Sequence, residues 1–397
     1  MRPHTRSISL AVGSAQRKSI FPSLRQALIL ASLTVWALSS TGGACAEASV
    51  QGQASSKAAL SRVSTLRIPG ATNVFKAVVD SRDRIHVVFD SDNGPYYTMS
   101  ASSAAPFSKP MPVLPDPVAP EGLRFQAWDL AVSDSGAVFV ALGNNAWKLK
   151  LPQEQWGYFL STLRPGEGRF SGPRNLNHKP SEGFSIAAGP DGVLVASFLA
   201  DKLFTMISKD DGRTFGAFAE PDPSFNPCNC CTVSTSFGRD GRLALLYREE
   251  TNNDRDMHLA LWEPAKKSRP TRHLVSHETW KVEACPMTYF NVVPSGAGYV
   301  AAWPTKGRIY FTRIDGNGAA SASGEVRTPG ISGMRTGLMA LPASDGTVLV
   351  AWKNREMLRW QVYDATDKPQ GGVGEEPSGG SGAAGVVLRD GRFVLFP

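Results

Sequence analysis

Seven times along the chain a tight turn is followed by a short strand-like apolar run, and this recurrence constrains the fold more than any other feature. The turns are Asp83-Arg84, Ser135-Gly136, Asp191-Gly192, Asp240-Gly241, Ala297-Gly298, Asp345-Gly346 and Asp390-Gly391. The runs after them are Ile85 to Phe89, Ala137 to Leu142, Val193 to Phe198, Arg242 to Tyr247, Tyr299 to Trp303, Thr347 to Trp352 and Arg392 to Phe396. The mean interval from the first turn to the last is about 51 residues, close to the length of a four-stranded propeller blade. Asp-Gly supplies the positive-φ positions a hairpin turn needs, and the flanking β-branched and aromatic residues suit a packed, pleated surface. The 38 glycines and 28 prolines interrupt the chain too often for long helices, and beyond the first 46 residues no long stretch carries apolar residues at helical spacing. The expectation is an all-β fold, a β-propeller of seven blades, with six as the alternative if one turn belongs to an insertion. The last repeat stops after its second strand, so the run Val63 to Ile68 is expected to complete that blade and close the ring.

The first 46 residues read differently. Arg2, Arg6, Arg17, Lys18 and Arg25 precede an apolar run from Ala27 to Leu38 and then Ala44-Cys45-Ala46, the pattern of a signal peptide cleaved near Ala46. The run is too short for a membrane span, which needs about 20 residues, so the expectation is export without a membrane span, to the periplasm or the exterior. A lipidated Cys45 is the alternative. Residues 47–60 are small and polar and read as a flexible segment, 61–397 as a single propeller domain, and the Gly/Ser/Pro/Glu-rich stretch 367–385 as a surface loop.

Removing the leader changes the charge balance. Of 42 Lys and Arg, five lie in the leader, leaving 37 against 35 Asp and Glu. A net charge near +2, with no basic run interleaved with aromatics, argues against nucleic acid as a partner. A glycan or a small molecule is the expected ligand, with no cofactor.

Ser208, Asp210, Gly212, Thr214 and Phe215 stand at the spacing Ser-x-Asp-x-Gly-x-Thr-Phe, which resembles the Asp-box of sialidases and related BNR-repeat proteins, with Phe for the usual Trp. A worn copy runs from Ser100 to Phe107. The Asp-box is a structural turn rather than a catalytic site, and the resemblance implies a sialidase-like propeller. A second set of residues comprises Cys228-Asn229-Cys230-Cys231, Tyr247-Arg248, Asp254-Arg255-Asp256, Trp280 and Ala284-Cys285-Pro286-Met287. It is similar to a subgroup of exported bacterial proteins labelled exo-α-sialidase. That resemblance implies glycoside hydrolysis by an arginine clamp, a tyrosine nucleophile with a glutamate base, and an aspartic acid. Leu66-Arg67-Ile68-Pro69 is similar to the motif carrying the first clamp arginine, and Asp90 or Asp92 falls near the position of the acid. Arg248 and Arg308 are the further clamp candidates, Tyr310 or Tyr363 the nucleophile, and Glu249 or Glu250 its base, on residue type alone.

The four cysteines left after the leader, Cys228, Cys230, Cys231 and Cys285, admit two readings. An even number in an exported protein favours two disulfides, with three possible pairings. The alternative is a thiolate site in which these cysteines and Met287 hold a soft ion such as copper, assisted by His258, His273 or His277. The function expected first is recognition or hydrolysis of a glycan; a non-catalytic copper protein and a protein-interaction scaffold are the alternatives.

Overall fold

A computed structural model describes residues 62–397 apart from 103–104, 118–119, 267 and 323; the leader and the segment 47–60 lie outside the described residues. The strands form seven separate sheets, and the chain is a seven-bladed β-propeller. Blade 1 comprises Asn73–Val79, Ile85–Ser91, Gly94–Ser100 and Met111–Pro112, and blade 2 comprises Phe125–Val132, Val138–Asn144, Phe159–Leu163 and Arg174–Asn175. Blade 3 has Glu182–Ala188, Leu194–Leu199 and Leu203–Ser208, with Ala219 bridging Thr205 where a fourth strand would lie. Blade 4 comprises Ser234–Phe237, Leu243–Arg248, Met257–Trp262 and Thr271–Leu274, and blade 5 comprises Asn291–Ser295, Gly298–Thr305, Arg308–Ile314 and Val326–Ile331. Blade 6 contains Leu338–Pro342, Val348–Asn354, Met357–Tyr363 and Pro369–Pro377.

Blade 7 joins the two ends of the described chain. Ala384–Val387 is its inner strand, Phe393–Phe396 its second, and Val63–Thr65 its third, parallel to the second with Val63 opposite Phe393 and Thr65 opposite Leu395. Arg62 reinforces the closure, reaching the Asp345 carboxylate of blade 6 at 2.8 Å and the Gly391 carbonyl. The N-terminal strand is shorter than expected: the Leu66 amide still bonds the Leu395 carbonyl, but Arg67 turns to blade 6 and Ile68 joins the core with Val74 and Phe89 of blade 1.

The second strands read as continuous apolar runs because both their faces are covered by neighbouring blades. Leu194–Leu199, Leu243–Arg248 and Gly298–Thr305 are buried throughout. The core therefore lies between blades: Ala244, Leu246 and Leu259 of blade 4 pack against Val292, Tyr299 and Trp303 of blade 5, and the same pattern recurs around the ring.

The inner strands carry polar side chains that bind one blade to the next. Lys76 of blade 1 pairs with Asp129 of blade 2 at 3.2 Å, and Asp129 accepts from the Ser185 hydroxyl and the Ile186 amide of blade 3. Ser185 accepts from the Thr235 amide of blade 4, Ser234 from the Val292 amide of blade 5, and Asn291 from the Ala340 amide of blade 6. Gly337 donates to Ser381, and Gly382 to the Asn73 side chain, which completes the circuit. These bonds satisfy inner-edge groups that no strand pairs, and they set the distance between blades.

Each of the seven sequence turns joins an inner strand to the second strand of its blade, so all seven lie on one face of the ring. In blade 5 the turn sits at Gly296-Ala297, one residue earlier than expected, with Gly298 already in the strand. The stretch 367–385 corrects a second expectation: Pro369–Pro377 is the outer strand of blade 6, and Ala384 begins the inner strand of blade 7. Its polar composition suits an edge strand, where Glu375 pairs with Arg359 at 2.9 Å. Gly374 is required there, because a Cβ would collide with the Trp360 ring.

Candidate functional site

Opposite the seven turns lies the face where inner strands begin and where second strands pass to third strands. A cavity of about 1350 Å³ opens on this face over blades 1 to 3. Strand irregularity shapes it. The inner strands of blades 1, 2 and 3 each carry a bulge, between Val74 and Lys76, Ala127 and Asp129, and Glu182 and Ser185. Bulges re-aim side chains, and these three present Phe75, Trp128 and Phe184 toward the axis or the cavity. Trp128 packs edge-on against Phe184 and Tyr289, with ring centres 5.4 and 6.3 Å apart. Gly143 on the neighbouring strand leaves the room that the Trp128 and Phe184 rings occupy.

Above this aromatic floor the wall is polar. It contains Asp90, Asp92, Asn93, Gln126, Asn229, and the exposed Trp147 with the Lys148 ammonium 5.3 Å from its ring centre. Four carboxylates (Asp90, Asp92, Glu182, Asp201) and four cations (Arg124, Lys148, Lys179, Arg335) line the cavity, so its charge is balanced. Burial pushes the Asp90 carboxyl up to about 6, and its Oδ1 is buried without a hydrogen-bond partner. Burial also raises Glu182, against the pull of Arg335. A smaller channel of about 510 Å³ runs down the axis, lined by the inner strands of all seven blades.

Of the residues singled out for sialidase chemistry, the structure brings Asp90 and Asp92 into the cavity and places the others elsewhere. Arg67 is exposed at the ring closure, bonded to Glu376 at 3.2 Å and to the Pro377 carbonyl at 2.7 Å on the outer strand of blade 6. Arg248 is fully buried between blades 4 and 5, donating to the carbonyls of Arg255 and Pro304 under the Trp280 ring. Arg308 stands exposed at the start of the third strand of blade 5. The three guanidinium groups share no partner. Tyr310 donates to Glu278 at 2.6 Å, and burial with that bond holds its phenol up at about 12. Glu278 is thus the glutamate beside this tyrosine, while Glu249 pairs with Arg272 at 3.1 Å and Glu250 bonds the Asn253 amide. Tyr363 is buried between blades 5 and 6.

Ser208 to Phe215 forms a tight turn after the third strand of blade 3. Ser208 Oγ accepts from the Gly212 amide at 2.9 Å, and Asp210 accepts from the Thr214 amide and hydroxyl at 2.9 and 2.6 Å. Gly212 has φ +74°, and Phe215 packs on the blade 2–3 core under the Arg174 guanidinium. In the segment from Ser100, Phe107 bridges back to Ser100 and packs beside Phe396 of blade 7. Ser100 and Ser208 both end third strands, on the face of the seven turns and opposite the cavity.

The cysteines occupy the cavity face between blades 4 and 5. Cys230 and Cys285 form a disulfide, whereas Cys228 and Cys231 are buried free thiols with their sulfurs 3.4 Å apart. Two disulfides were the favoured expectation, and the structure contains one. Cys228 sits 3.5 Å from the Cys230 sulfur and receives the Arg255 Nη1 at 3.0 Å. Its bond with Cys231 and burial push the Cys228 thiol up, whereas Cys231 is held low, first by that same bond and then by Arg248 and Thr288. No histidine or carboxylate groups with the three sulfurs among the described residues. His258 lies against Tyr247, the His273 ring bonds Thr271, and the His277 amide donates to Glu325; none of the three groups with the sulfurs. The position of Met287 is distinctive for its backbone, which takes φ 45° where the Arg335 amide bonds its carbonyl.

Periodicity pointed to none of the bulges, because a bulge interrupts the alternation that marks a strand; the aromatic preceding Lys76 and that preceding Asp129 were the available signal.

The fold and site define a seven-bladed propeller with an aromatic-floored polar cavity on one face. No family model matches the chain, and no curated protein matches it. Among solved structures, a polysaccharide lyase of the ulvan-lyase type, bound to a glucuronate–sulfated rhamnose saccharide, is 10% identical over 81% of this chain and 90% of its own, with a TM-score of 0.49. A chain of the mitotic checkpoint complex is 12% identical over 82% and 88%, with a TM-score of 0.50. An α-L-arabinanase of Penicillium chrysogenum complexed with arabinobiose is 12% identical over 76% and 95%, with a TM-score of 0.47. At such identities the likeness concerns the fold, and the same fold serves unrelated functions.

Proposed function

We propose that this protein recognises a glycan in the cavity over blades 1 to 3. The observation that supports this most is the pairing of an aromatic floor, Trp128 and Phe184, with a polar wall of balanced charge. A sugar ring has an apolar C–H face that stacks on such rings and a rim of hydroxyls that needs donors and acceptors in fixed positions. Balanced charge suits a neutral or weakly charged saccharide and offers no net attraction to a polyanion. Recognition of this kind needs no cofactor.

Hydrolysis of sialosides is a narrower form of the same reading. Asp90 supports it, as a carboxyl kept protonated to nearly neutral pH inside the cavity, which is what a general acid requires. The separate engagements of Arg67, Arg248 and Arg308 weigh against a carboxylate clamp, so we favour binding over sialoside turnover. Action outside the cytoplasm completes the proposal, supported by the leader-like first 46 residues and by the Cys230–Cys285 disulfide.

The test is a panel of neutral, uronate-containing and sialylated oligosaccharides titrated calorimetrically into the full-length protein. Neutral saccharides should bind, Trp128→Ala should weaken that binding by at least about 1 kcal/mol, and a fluorogenic sialoside should turn over weakly or not at all. Binding unchanged in Trp128→Ala, or absent across the panel, would overturn the proposal.

A further inference from the structure

The cysteine cluster lies outside the glycan reading and has its own chemistry. Residues 228–231 form the turn that enters blade 4. The Cys228 amide bonds the Arg248 carbonyl, and the Cys231 amide closes the turn onto the Cys228 carbonyl. This turn directs the Cys228, Cys230 and Cys231 sulfurs to one point, all within 4.8 Å of one another. The Cys230 sulfur is committed to Cys285, which leaves two thiols as ligands.

Two cations face this pair. Arg255 Nη1 lies 3.0 Å from the Cys228 sulfur. Arg248 is 1% exposed, its Nη atoms bond only carbonyl groups, and its buried Nε has no partner. Burial disfavours this guanidinium, and the charges that favour it are those of the Cys231 and Cys228 sulfurs and, after them, the Asp256 carboxylate; a buried charge without such partners is strongly unfavourable.

We propose that Cys228 and Cys231 together bind one soft monovalent cation, Cu(I), as a bis-thiolate beside Arg248 and Arg255. Each thiol gives up its proton to solvent and the metal takes both sulfurs. The product carries one negative charge, which the two guanidinium groups offset, and no electron is transferred. Soft thiolate ligands select Cu(I). Structural zinc takes four ligands, and among the described residues no histidine or carboxylate joins the sulfurs. Burial of both thiols within the blade 4–5 core keeps water from the bound ion. Met287, expected as a further sulfur ligand, is not part of the proposed pair.

The experiment uses the full-length protein purified anaerobically without a disulfide reductant, titrated with Cu(I) against a chromogenic Cu(I) chelator. One equivalent of Cu(I) should be withdrawn from the chelator. Bound Cu(I) should protect two thiols from alkylation, as read by mass spectrometry on the wild-type chain, so that the result does not depend on a variant folding. Cys228→Ser and Cys231→Ser should each abolish withdrawal, and Arg255→Gln should weaken it about 10- to 100-fold while leaving the stoichiometry at one. Zn(II) should fail to displace the copper. Failure to withdraw Cu(I), equal alkylation with and without it, or the absence of titratable thiols in the purified protein would overturn the proposal; the last result would assign Cys228 and Cys231 to a second disulfide. Glycan binding is read through Trp128→Ala and Cu(I) withdrawal through the two cysteine variants, so failure of one reading is distinguishable from failure of the other.

Discussion

Replacing Asp129 with alanine tests whether the polar circuit around the axis holds the blades in place. Asp129 is 6% exposed, and its Oδ2 accepts from the Ile186 amide at 3.0 Å and the Ser185 hydroxyl at 2.8 Å. Its Oδ1 accepts from the Leu130 amide at 2.9 Å and pairs with Lys76 at 3.2 Å. Truncation strands the buried Ile186 amide, a loss of about 1–3 kcal/mol, and removes a charge-assisted bond from Ser185, a further loss of about 1.5–3 kcal/mol. The ion pair adds little, at most about 1 kcal/mol, because Lys76 is 38% exposed. Asp129→Ala should therefore lose about 3–6 kcal/mol. Asp129→Asn keeps one oxygen acceptor for Ile186 and should lose less than half of that. Guanidinium unfolding followed by tryptophan fluorescence measures both. An alanine variant within about 1 kcal/mol of wild type, or an asparagine variant equally impaired, would refute the reasoning that these bonds set inter-blade spacing.

Two further outcomes follow from the same geometry. Asp90 is held at about 6, above its ordinary 3.8, so the folded chain binds its proton more tightly than the unfolded chain; stability should fall as pH rises from about 4 to 6 and then level off. Asp90→Asn should remove that part of the pH dependence, and identical profiles for wild type and variant would show that Asp90 is solvated. Deleting Arg392 to Pro397 removes the second strand of blade 7, leaves Val63–Thr65 and Ala384–Val387 without their shared partner, and should abolish cooperative unfolding; a truncated chain that melts like the full one would show that the ring does not depend on closure.

What the sequence determined by itself was the repeat. Asp-Gly and its relatives need particular backbone angles, and the buried second strands need unbroken apolar runs; both are local demands, visible in residues such as Asp191, Gly192 and the run to Phe198. The count of seven and the joining of Val63 to the C-terminal strand followed from those demands, because an unclosed ring would leave an edge exposed. Gly374 shows the limit of composition: a Gly-rich stretch reads as a loop until the Trp360 ring that requires the glycine is in view. The site was legible only in part. Asp90 was selected from a resemblance and lies in the cavity, yet the rings that line the same cavity, Trp128 and Phe184, arrive from two other blades through bulges that no periodicity announces. Arg67 and Arg248 looked equivalent as arginines in the chain. The tertiary structure separated them, placing one in solvent against Glu376 and the other beneath Trp280 beside two thiols, because the partners of a charge are set by which blades meet and not by its neighbours in sequence.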